Sequence, residues 1–136
     1  MITHVLDSSA WIAHLQREPG WERVSDILAD PETAVGISAL SLVELHARLR
    51  SAGDEHKFGE VLQDYRELFA QIIPVDEAIV LRAIALRETA PARVPAIDAL
   101  IAATAAHHAA ALGHRDPHLA TLPGEAVAQV VIGREE

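Results

Sequence analysis

The sequence predicts an α/β fold of three layers, with helices on both faces of a central, mainly parallel sheet of about five strands. Short apolar runs of strand length alternate along the chain with longer segments in which apolar residues recur at helical spacing. This alternation is typical of strands that are joined by helical crossovers and lie parallel to one another. The 136 residues contain no internal repeat and no long linker, so we expect a single domain at positions 1–136.

The first half of the chain predicts two strands and four helices. Positions 2–6 predict a short strand, and the sequence Asp7-Ser8-Ser9 behind it is a typical helix start. The helix that follows runs to about position 18, where Pro19-Gly20 breaks it. The other predicted elements here are a helix at 21–29, a strand at 34–38, a helix that opens at Ser41 and an amphipathic helix after the turn at 51–54.

The second half of the chain predicts three more strands. One of them, at positions 71–75, contains Pro74, which cannot donate a ladder hydrogen bond, so this strand belongs at an edge of the sheet. The other elements predicted here are helices at 76–90 and 95–110, a weak strand at 111–114 and a clear strand at 127–132. In sheets of this type ligands bind beyond the carboxyl ends of the strands, near the point where the strand order reverses. We therefore expect site residues at that edge.

The composition is that of a globular protein, with half of the residues apolar and 23% charged. The absence of cysteine excludes a disulfide framework and a thiolate metal site, and it is compatible with a reducing cytosol. The N-terminus has no basic run ahead of a long apolar stretch, so we expect no signal peptide and a cytoplasmic location. The apolar stretch at 95–112 contains Asp98, Thr104 and two histidines, which favours a buried helix over a membrane span.

Asp98 is the candidate site residue with the strongest evidence in the sequence. It is the only charged side chain between Pro95 and Leu112, in a helix that is apolar on nearly every face. An unpaired carboxylate in such a helix would cost several kcal/mol or would take up a proton. Its position in the first turn offers a helix-dipole interaction of only roughly 0.3–1 kcal/mol, which is too little to offset that cost. Asp98 therefore needs a partner, and a cation is the natural one.

Three further acidic residues fall where such a sheet can bring them to the same crevice, although each also has a local explanation. Asp7 follows the first strand and could simply be a helix N-cap. Glu44 could close a capping box with Ser41, or it could pair with Arg48 one turn later. Asp116 follows the weak fourth strand, where it could form an Asp-Pro turn.

Carboxylates gathered in one crevice would repel one another and raise at least one pKa unless a cation neutralised them. Oxygen-only ligands favour Mg²⁺ or Mn²⁺ over zinc. A divalent ion held in this way makes water more acidic and stabilises a leaving oxygen, which suits the hydrolysis of phosphodiester bonds. The predicted metal ligands and catalytic residues are Asp7, Glu44, Asp98 and Asp116.

Three stretches of the sequence form a family pattern. They are Val5-Leu6-Asp7-Ser8-Ser9, the segment from Ser38 to Leu45, and the segment from Ile97 to Ala105 followed by His114-Arg115-Asp116-Pro117-His118-Leu119. Together they resemble a PIN domain, and more specifically the VapC toxins of bacterial type II toxin–antitoxin pairs. The resemblance spans essentially the whole chain, and the Asp-Ala-Leu-Ile-Ala-Ala-Thr segment that starts at Asp98 is its most specific part.

The resemblance implies a PIN-like fold and a metal-dependent endoribonuclease that hydrolyses RNA phosphodiester bonds with a metal-activated water. In that family the acidic site corresponds to the same four residues. Ser9 corresponds to a polar helper of the metal shell, and His114 stands where many relatives have Thr or Ser, which would let an imidazole approach the site. The resemblance also implies Mg²⁺ or Mn²⁺, a homodimer, a tRNA or rRNA substrate, and inhibition by a VapB-like antitoxin.

The net charge of −9 argues against a broad surface for binding nucleic acid, since phosphate contacts need Lys and Arg. Four metal-bound carboxylates would account for part of this charge. Ten of the eleven basic residues are arginine, which can bind phosphate with two hydrogen bonds at once. We therefore expect weak or highly selective RNA binding through a local patch, for which the candidates are Arg17, Arg48, Arg93 and Arg115.

Three other interpretations stay open from the sequence alone. A haloacid-dehalogenase-like phosphatase also has an Asp after its first strand, but it needs a second Asp two residues later, where this chain has Ser9. A response-regulator receiver needs a lysine late in the sheet, whereas the only lysine is Lys57, in a mid-chain helix. A PIN-like module that binds an antitoxin or RNA without cleaving it would keep the same fold.

Overall fold

A computed structural model describes residues 1–133 of the chain, and at its centre is a five-stranded sheet in which all strands are parallel. The strands are β1 (His4–Leu6), β2 (Val35–Ser38), β3 (Gln71–Ile73), β4 (Ala111–His114) and β5 (Gln129–Val131). Their order in the sheet is β3-β2-β1-β4-β5. The predicted parallel sheet is confirmed, and so is the edge position of the third strand, although Pro74 follows β3 and is not part of it.

Six α-helices surround the sheet within residues 1–133. They are α1 (Ser8–Gln16), α2 (Trp21–Ala29), α3 (Ser41–Ser51), α4 (Phe58–Arg66), α5 (Glu77–Thr89) and α6 (Ala96–His107). Short 3-10 turns at Glu55–Lys57 and Leu119–Thr121 precede α4 and follow β4. Helices α1 and α6 end earlier than predicted because Arg17 (φ 54°) and Ala109 (φ 52°) adopt left-handed backbone angles.

The sheet separates two apolar cores. Successive residues of a strand point to opposite faces, and Val5 accordingly lies in one core while Leu6 lies in the other. The core with Val5 includes residues of α5 and α6, and the core with Leu6 includes residues of α1 to α4. Trp11 is fully buried in the second core, where its ring meets the rings of Tyr65 and Phe69 edge to face at 5.4 and 5.2 Å between centroids. The predicted three layers are thus confirmed.

Helix α6 is the apolar helix that the sequence predicts to be buried. Ala99 and the residues at 101–105 are buried, while Asp98 is half-buried near the start of the helix. The helix packs against α5. Within residues 1–133, no helix combines the length and the apolar character that a membrane crossing needs.

The strand order reverses between β1 and β4. From β1 the chain passes to β2 and β3 on one side of the sheet, and later to β4 and β5 on the other. Leu6 pairs with Gly113, and the amide of Asp7 donates a hydrogen bond to the Gly113 carbonyl at 2.9 Å. Asp7 and Asp116 therefore follow the carboxyl ends of the two strands at which the order reverses, which is where sheets of this type bind ligands.

Gly20→Ala should destabilise the fold strongly. Gly20 has a φ of +97°, and a methyl group there would overlap the Ile132 side chain and the Gly133 backbone. The left-handed backbone and the overpacking together should lower the free energy of unfolding by roughly 2–5 kcal/mol. Gly53→Ala is the matched control because Gly53 has a φ of +77°, but a methyl group there would meet no atom of residues 1–133 within 4 Å. Gly53→Ala should lower the free energy of unfolding by only about 1–2 kcal/mol, as measured by urea denaturation. Equal losses in the two variants would contradict the packing argument.

Candidate active site

Four acidic side chains line one open cleft of about 480 Å³. They come from four different elements of the fold. Asp7 directly follows β1, Glu44 lies in the first turn of α3, Asp98 lies in the first turn of α6, and Asp116 follows β4. Ser9 lines the same cleft. The topology thus brings together all four carboxylates that the sequence singled out.

Asp7 is held in place through one of its two carboxylate oxygens. Its Oδ1 accepts hydrogen bonds from the Ala10 amide at 3.0 Å and from the Ser9 hydroxyl at 2.6 Å. Asp7 is therefore the N-cap of α1, and both bonds leave its Oδ2 for a further ligand. Burial raises the pKa of Asp7 and outweighs the lowering effect of these two bonds. Ser9 also accepts a hydrogen bond from the Arg115 amide at 3.0 Å, so it links the ends of β1 and β4.

Glu44 has neither of the local partners that the sequence allowed. The capping box is wrong because Leu40 already has helical backbone angles and the Ser41 hydroxyl is buried with no hydrogen-bond partner in residues 1–133. The pairing with Arg48 is wrong as well, since the Arg48 guanidinium binds Glu18 instead. Oε1 of Glu44 is consequently buried without a hydrogen-bond partner in the part of the chain that the structure describes. An unpartnered carboxylate oxygen of this kind is costly, and a bound cation or a water molecule would satisfy it.

Asp98 is close to the other carboxylates of the cleft and forms no ion pair with a basic side chain of residues 1–133. Its pKa is raised to about 6, first by burial and then by the charge and a hydrogen bond of Asp116 and by the charges of Glu44 and Asp7. None of the ion pairs formed within residues 1–133 includes Asp98. The sequence predicts a cationic partner for Asp98, and no basic side chain in the described part of the chain pairs with it.

Asp116 is positioned by the buried side chain of His114. Nδ1 of His114 accepts a hydrogen bond from the Asp116 amide at 3.0 Å, which places the imidazole proton on Nε2. Nε2 donates to Oε1 of Gln129 at 2.8 Å, and the amide group of Gln129 donates to the Leu122 carbonyl at 2.9 Å. His114 thus supports the segment that carries Asp116, and its imidazole is not part of the cleft lining. The Asp-Pro turn is present too, since Oδ1 of Asp116 accepts a bond from the His118 amide at 2.8 Å.

The donor set of the cleft fits a hard divalent cation. All four side chains offer carboxylate oxygens, which are the ligands that Mg²⁺ and Mn²⁺ prefer. The unpartnered oxygen of Glu44 and the raised pKa of Asp98 are two features that a cation would relieve. As the side chains stand, no three Asp, Glu, His or Cys residues within 1–133 are grouped closely enough to hold an ion. The carboxylates would therefore have to draw together around the metal.

Two of the four arginines that the sequence suggests for phosphate contacts line the acidic cleft or the cavity beside it. Arg48 lines the acidic cleft, and Arg115 lines an adjoining cavity of about 390 Å³. Arg17 instead lies over the ring of Trp21, with 4.6 Å between its guanidinium carbon and the ring centroid. Arg93 lines a separate cavity beside α5. Of the four candidate arginines, Arg48 and Arg115 thus line the acidic cleft and the adjoining cavity, and the RNA-binding patch stays a prediction.

Two residues of this region were missed by the sequence analysis. Glu18 binds both Arg48 and Arg115, and Gln129 fixes His114. The partners of Glu18 lie 30 and 97 positions further along the chain, and those of Gln129 depend on the pairing of β4 with β5. No local sequence signal marks contacts of this kind.

The chain belongs to the PIN-domain family, whose family model matches residues 4–125. Proteins of this family are typically nucleases and are generally metal-dependent. The matched range contains the four acidic residues of the cleft. The resemblance inferred from the sequence is confirmed, and the family match decides against the phosphatase and receiver alternatives.

Several solved structures with the same fold come from toxin–antitoxin complexes. A chain of VapBC2 from Rickettsia felis, solved bound to a promoter DNA fragment, is 18% identical with a TM-score of 0.77, over 96% of this chain and 98% of that one. A chain of VapBC-5 from Mycobacterium tuberculosis is 23% identical with a TM-score of 0.69, and the match covers 97% of this chain and 100% of that one. A chain of FitAcB from Neisseria gonorrhoeae is 26% identical with a TM-score of 0.65, and the match covers 93% of this chain and 96% of that one. No curated protein sequence matches this chain.

Proposed function

We propose that this chain is a divalent-metal-dependent endoribonuclease that acts as the toxin of a VapBC-type toxin–antitoxin pair. The observation that carries the proposal is the gathering of Asp7, Glu44, Asp98 and Asp116 around one cleft, in a family whose members are typically nucleases. The unpartnered oxygen of Glu44 and the raised pKa of Asp98 support Mg²⁺ or Mn²⁺ as the ligand of this cleft.

The contribution of the protein to RNA hydrolysis is to hold Asp7 and the segment that carries Asp116 in place before the metal and the substrate bind. Ser9 and the Ala10 amide hold Oδ1 of Asp7 and leave its other oxygen for the metal. His114 holds the backbone of Asp116. A bound divalent cation supplies a more acidic water and stabilises the charge on the leaving oxygen. Asp7 and Asp116 would thus need little backbone movement when the ion binds.

The proposed partners are a VapB-like antitoxin, a tRNA or rRNA substrate, and a second copy of the chain in a homodimer, all in the cytoplasm. Support for the antitoxin comes from the similar solved structures, which were determined as toxin–antitoxin complexes. Support for protein partners also comes from three exposed apolar side chains of one helix, α5. These are Val80, Leu81 and Ile84, with exposed fractions of 39%, 59% and 50%.

The purified protein should cleave RNA in Mg²⁺ or Mn²⁺, lose this activity in excess EDTA and regain it when metal is restored. The reason is that a cation held by the four carboxylates makes its bound water acidic enough to attack the phosphodiester near neutral pH. End-labelled tRNA and rRNA fragments on denaturing gels measure the cleavage. Activity that persists in EDTA would overturn the metal dependence. RNA binding without cleavage at any metal concentration would favour the alternative, a PIN-like module that acts by binding alone.

A further inference from the structure

The carboxylate of Glu18 joins two arginines from distant parts of the chain. Its Oε1 accepts a hydrogen bond from Nη2 of Arg115 at 2.6 Å, and its Oε2 accepts one from Nη1 of Arg48 at 3.1 Å. All three side chains remain partly exposed to solvent. One carboxylate therefore holds two guanidinium groups together as a single positive centre, with one oxygen for each.

This positive centre lies beside the acidic cleft. Arg48 lines the cleft, Arg115 lines the adjoining cavity, and the two cavities share Ser9 and Asp116. Within residues 1–133, Arg48 and Arg115 are the basic residues in the lining of these two cavities. A ligand strand that follows both cavities passes the carboxylates and both guanidinium groups.

The electrostatics of the protein make these two arginines important for a polyanion. The chain carries a net charge of −9 and its cleft is acidic, so general attraction for nucleic acid is weak. Burial would raise the pKa of Glu18, but the hydrogen bonds and charges of Arg115 and Arg48 outweigh it and hold the pKa below its usual value. Glu18 is therefore ionised, and it neutralises part of the positive centre.

We propose that Arg48 and Arg115 form a phosphate clamp for RNA, and that Glu18 occupies the clamp in place of a phosphate until the substrate displaces it. The exchange is consistent with the geometry because a carboxylate and a phosphodiester both present two oxygens that guanidinium groups bind. The inference rests on the proposed function, since it takes RNA as the substrate. It also gives a physical cause for selective binding, because an RNA must make further contacts to compete with Glu18.

The clamp is tested by measuring RNA binding separately from cleavage. Arg48→Ala and Arg115→Ala should each weaken binding of a short single-stranded RNA about tenfold and should reduce the salt dependence of binding by about 0.7 in the logarithmic slope. Glu18→Gln should strengthen binding about threefold or more, because it removes the competing charge. Fluorescence anisotropy at several salt concentrations measures both effects. The measurement is made with Ca²⁺ and repeated in EDTA, and the effects should persist in EDTA because the arginines need no cation.

Matched controls separate the clamp from a general effect of charge. Glu22→Gln and Arg82→Ala remove the same charges from exposed positions on α2 and α5, and they should leave the affinity within about twofold of the wild type. If Glu18 only stabilises the turn in which it lies, Glu18→Gln will lower the melting temperature without raising the affinity for RNA. That result would overturn the clamp. Unchanged affinity in both arginine variants also overturns it.

The proposed function and the clamp can fail independently. Cleavage that needs metal, together with unchanged RNA affinity in Arg48→Ala and Arg115→Ala, would keep the nuclease and reject the clamp. A wild-type protein that neither binds nor cleaves RNA would reject both. The predicted pattern is a loss of affinity in the two arginine variants, a gain in Glu18→Gln, and metal-dependent cleavage in the wild type.

Discussion

Asp98→Asn should reduce RNA cleavage at least about 100-fold in Mg²⁺ or Mn²⁺. Loss of a residue that merely orients a metal ligand commonly costs about 10–100-fold, and Asp98 is proposed as a ligand itself, so its loss should cost no less than the upper figure. Asparagine keeps the size and polarity of the side chain but cannot supply the negative charge. Asp7→Asn should have an effect of the same order. Initial rates on a defined RNA at saturating metal measure both.

The control for this prediction is Asp64→Asn, which removes the same charge from an exposed position on α4 and should cleave like the wild type. Thermal melting of each variant shows whether the fold is retained. Cleavage by Asp98→Asn or Asp7→Asn at the wild-type rate would exclude the acidic cleft as the catalytic site.

Divalent cations should raise the melting temperature of the wild type by about 10 °C at a concentration one hundred times the dissociation constant. Binding to the folded state at this excess contributes about 2.7 kcal/mol. For a chain of this length, 1 kcal/mol corresponds to roughly 3–5 °C. Asp98→Asn should melt at a higher temperature than the wild type without metal, and it should gain much less from metal. Absence of any shift at millimolar Mg²⁺ or Mn²⁺ would contradict a metal site in the cleft.

The burial of Asp98 and the charges of the neighbouring carboxylates determine how stability depends on pH without metal. The pKa of Asp98 is about 6 in the folded protein, above its ordinary value of 3.8, so the folded state holds the proton more tightly than the unfolded state does. This contribution is fully present below about pH 4 and is lost as the pH rises through 6; the raised pKa of Asp7 has the same sign. Because Asp98 is only half-buried, solvent screening should limit the loss to about 1–2 kcal/mol. Urea unfolding of the wild type and of Asp98→Asn below about pH 4 and above pH 6 measures this loss of stability. Parallel pH profiles of the two proteins would contradict the assignment of the pH dependence to Asp98.

Much of the fold could be predicted from the sequence because its main signals are local. Helix α2 has the predicted bounds, since Pro19-Gly20 precedes it and Asp30-Pro31 follows it. The edge position of β3 followed from a single proline. Asp98 could be singled out because a lone carboxylate on an apolar helix is costly wherever the helix packs.

The errors concern contacts that local spacing does not determine. The capping box failed because the helical backbone already begins at Leu40, which leaves Ser41 buried inside the first turn. The pair of Glu44 with Arg48 failed because Glu18, 30 positions earlier, binds Arg48 instead. The support of Asp116 by His114 and Gln129 depends on the register of β4 and β5. Such partners follow from the three-dimensional arrangement and not from periodicity.

The pairing of β1 with β4 determines when the cleft can exist. His4 lies opposite Ala111, and the Ser9 hydroxyl meets the Arg115 amide from 106 positions away. Contacts of such sequence separation form late, because a long loop must close before they contribute any stability. During synthesis the ribosome releases the N-terminal part first, so Asp116 is the last of the four acids to emerge. The four-carboxylate cleft is therefore complete only when nearly the whole chain has been made. On the proposed function, this delay gives an antitoxin that is already present the time to bind before the nuclease site forms.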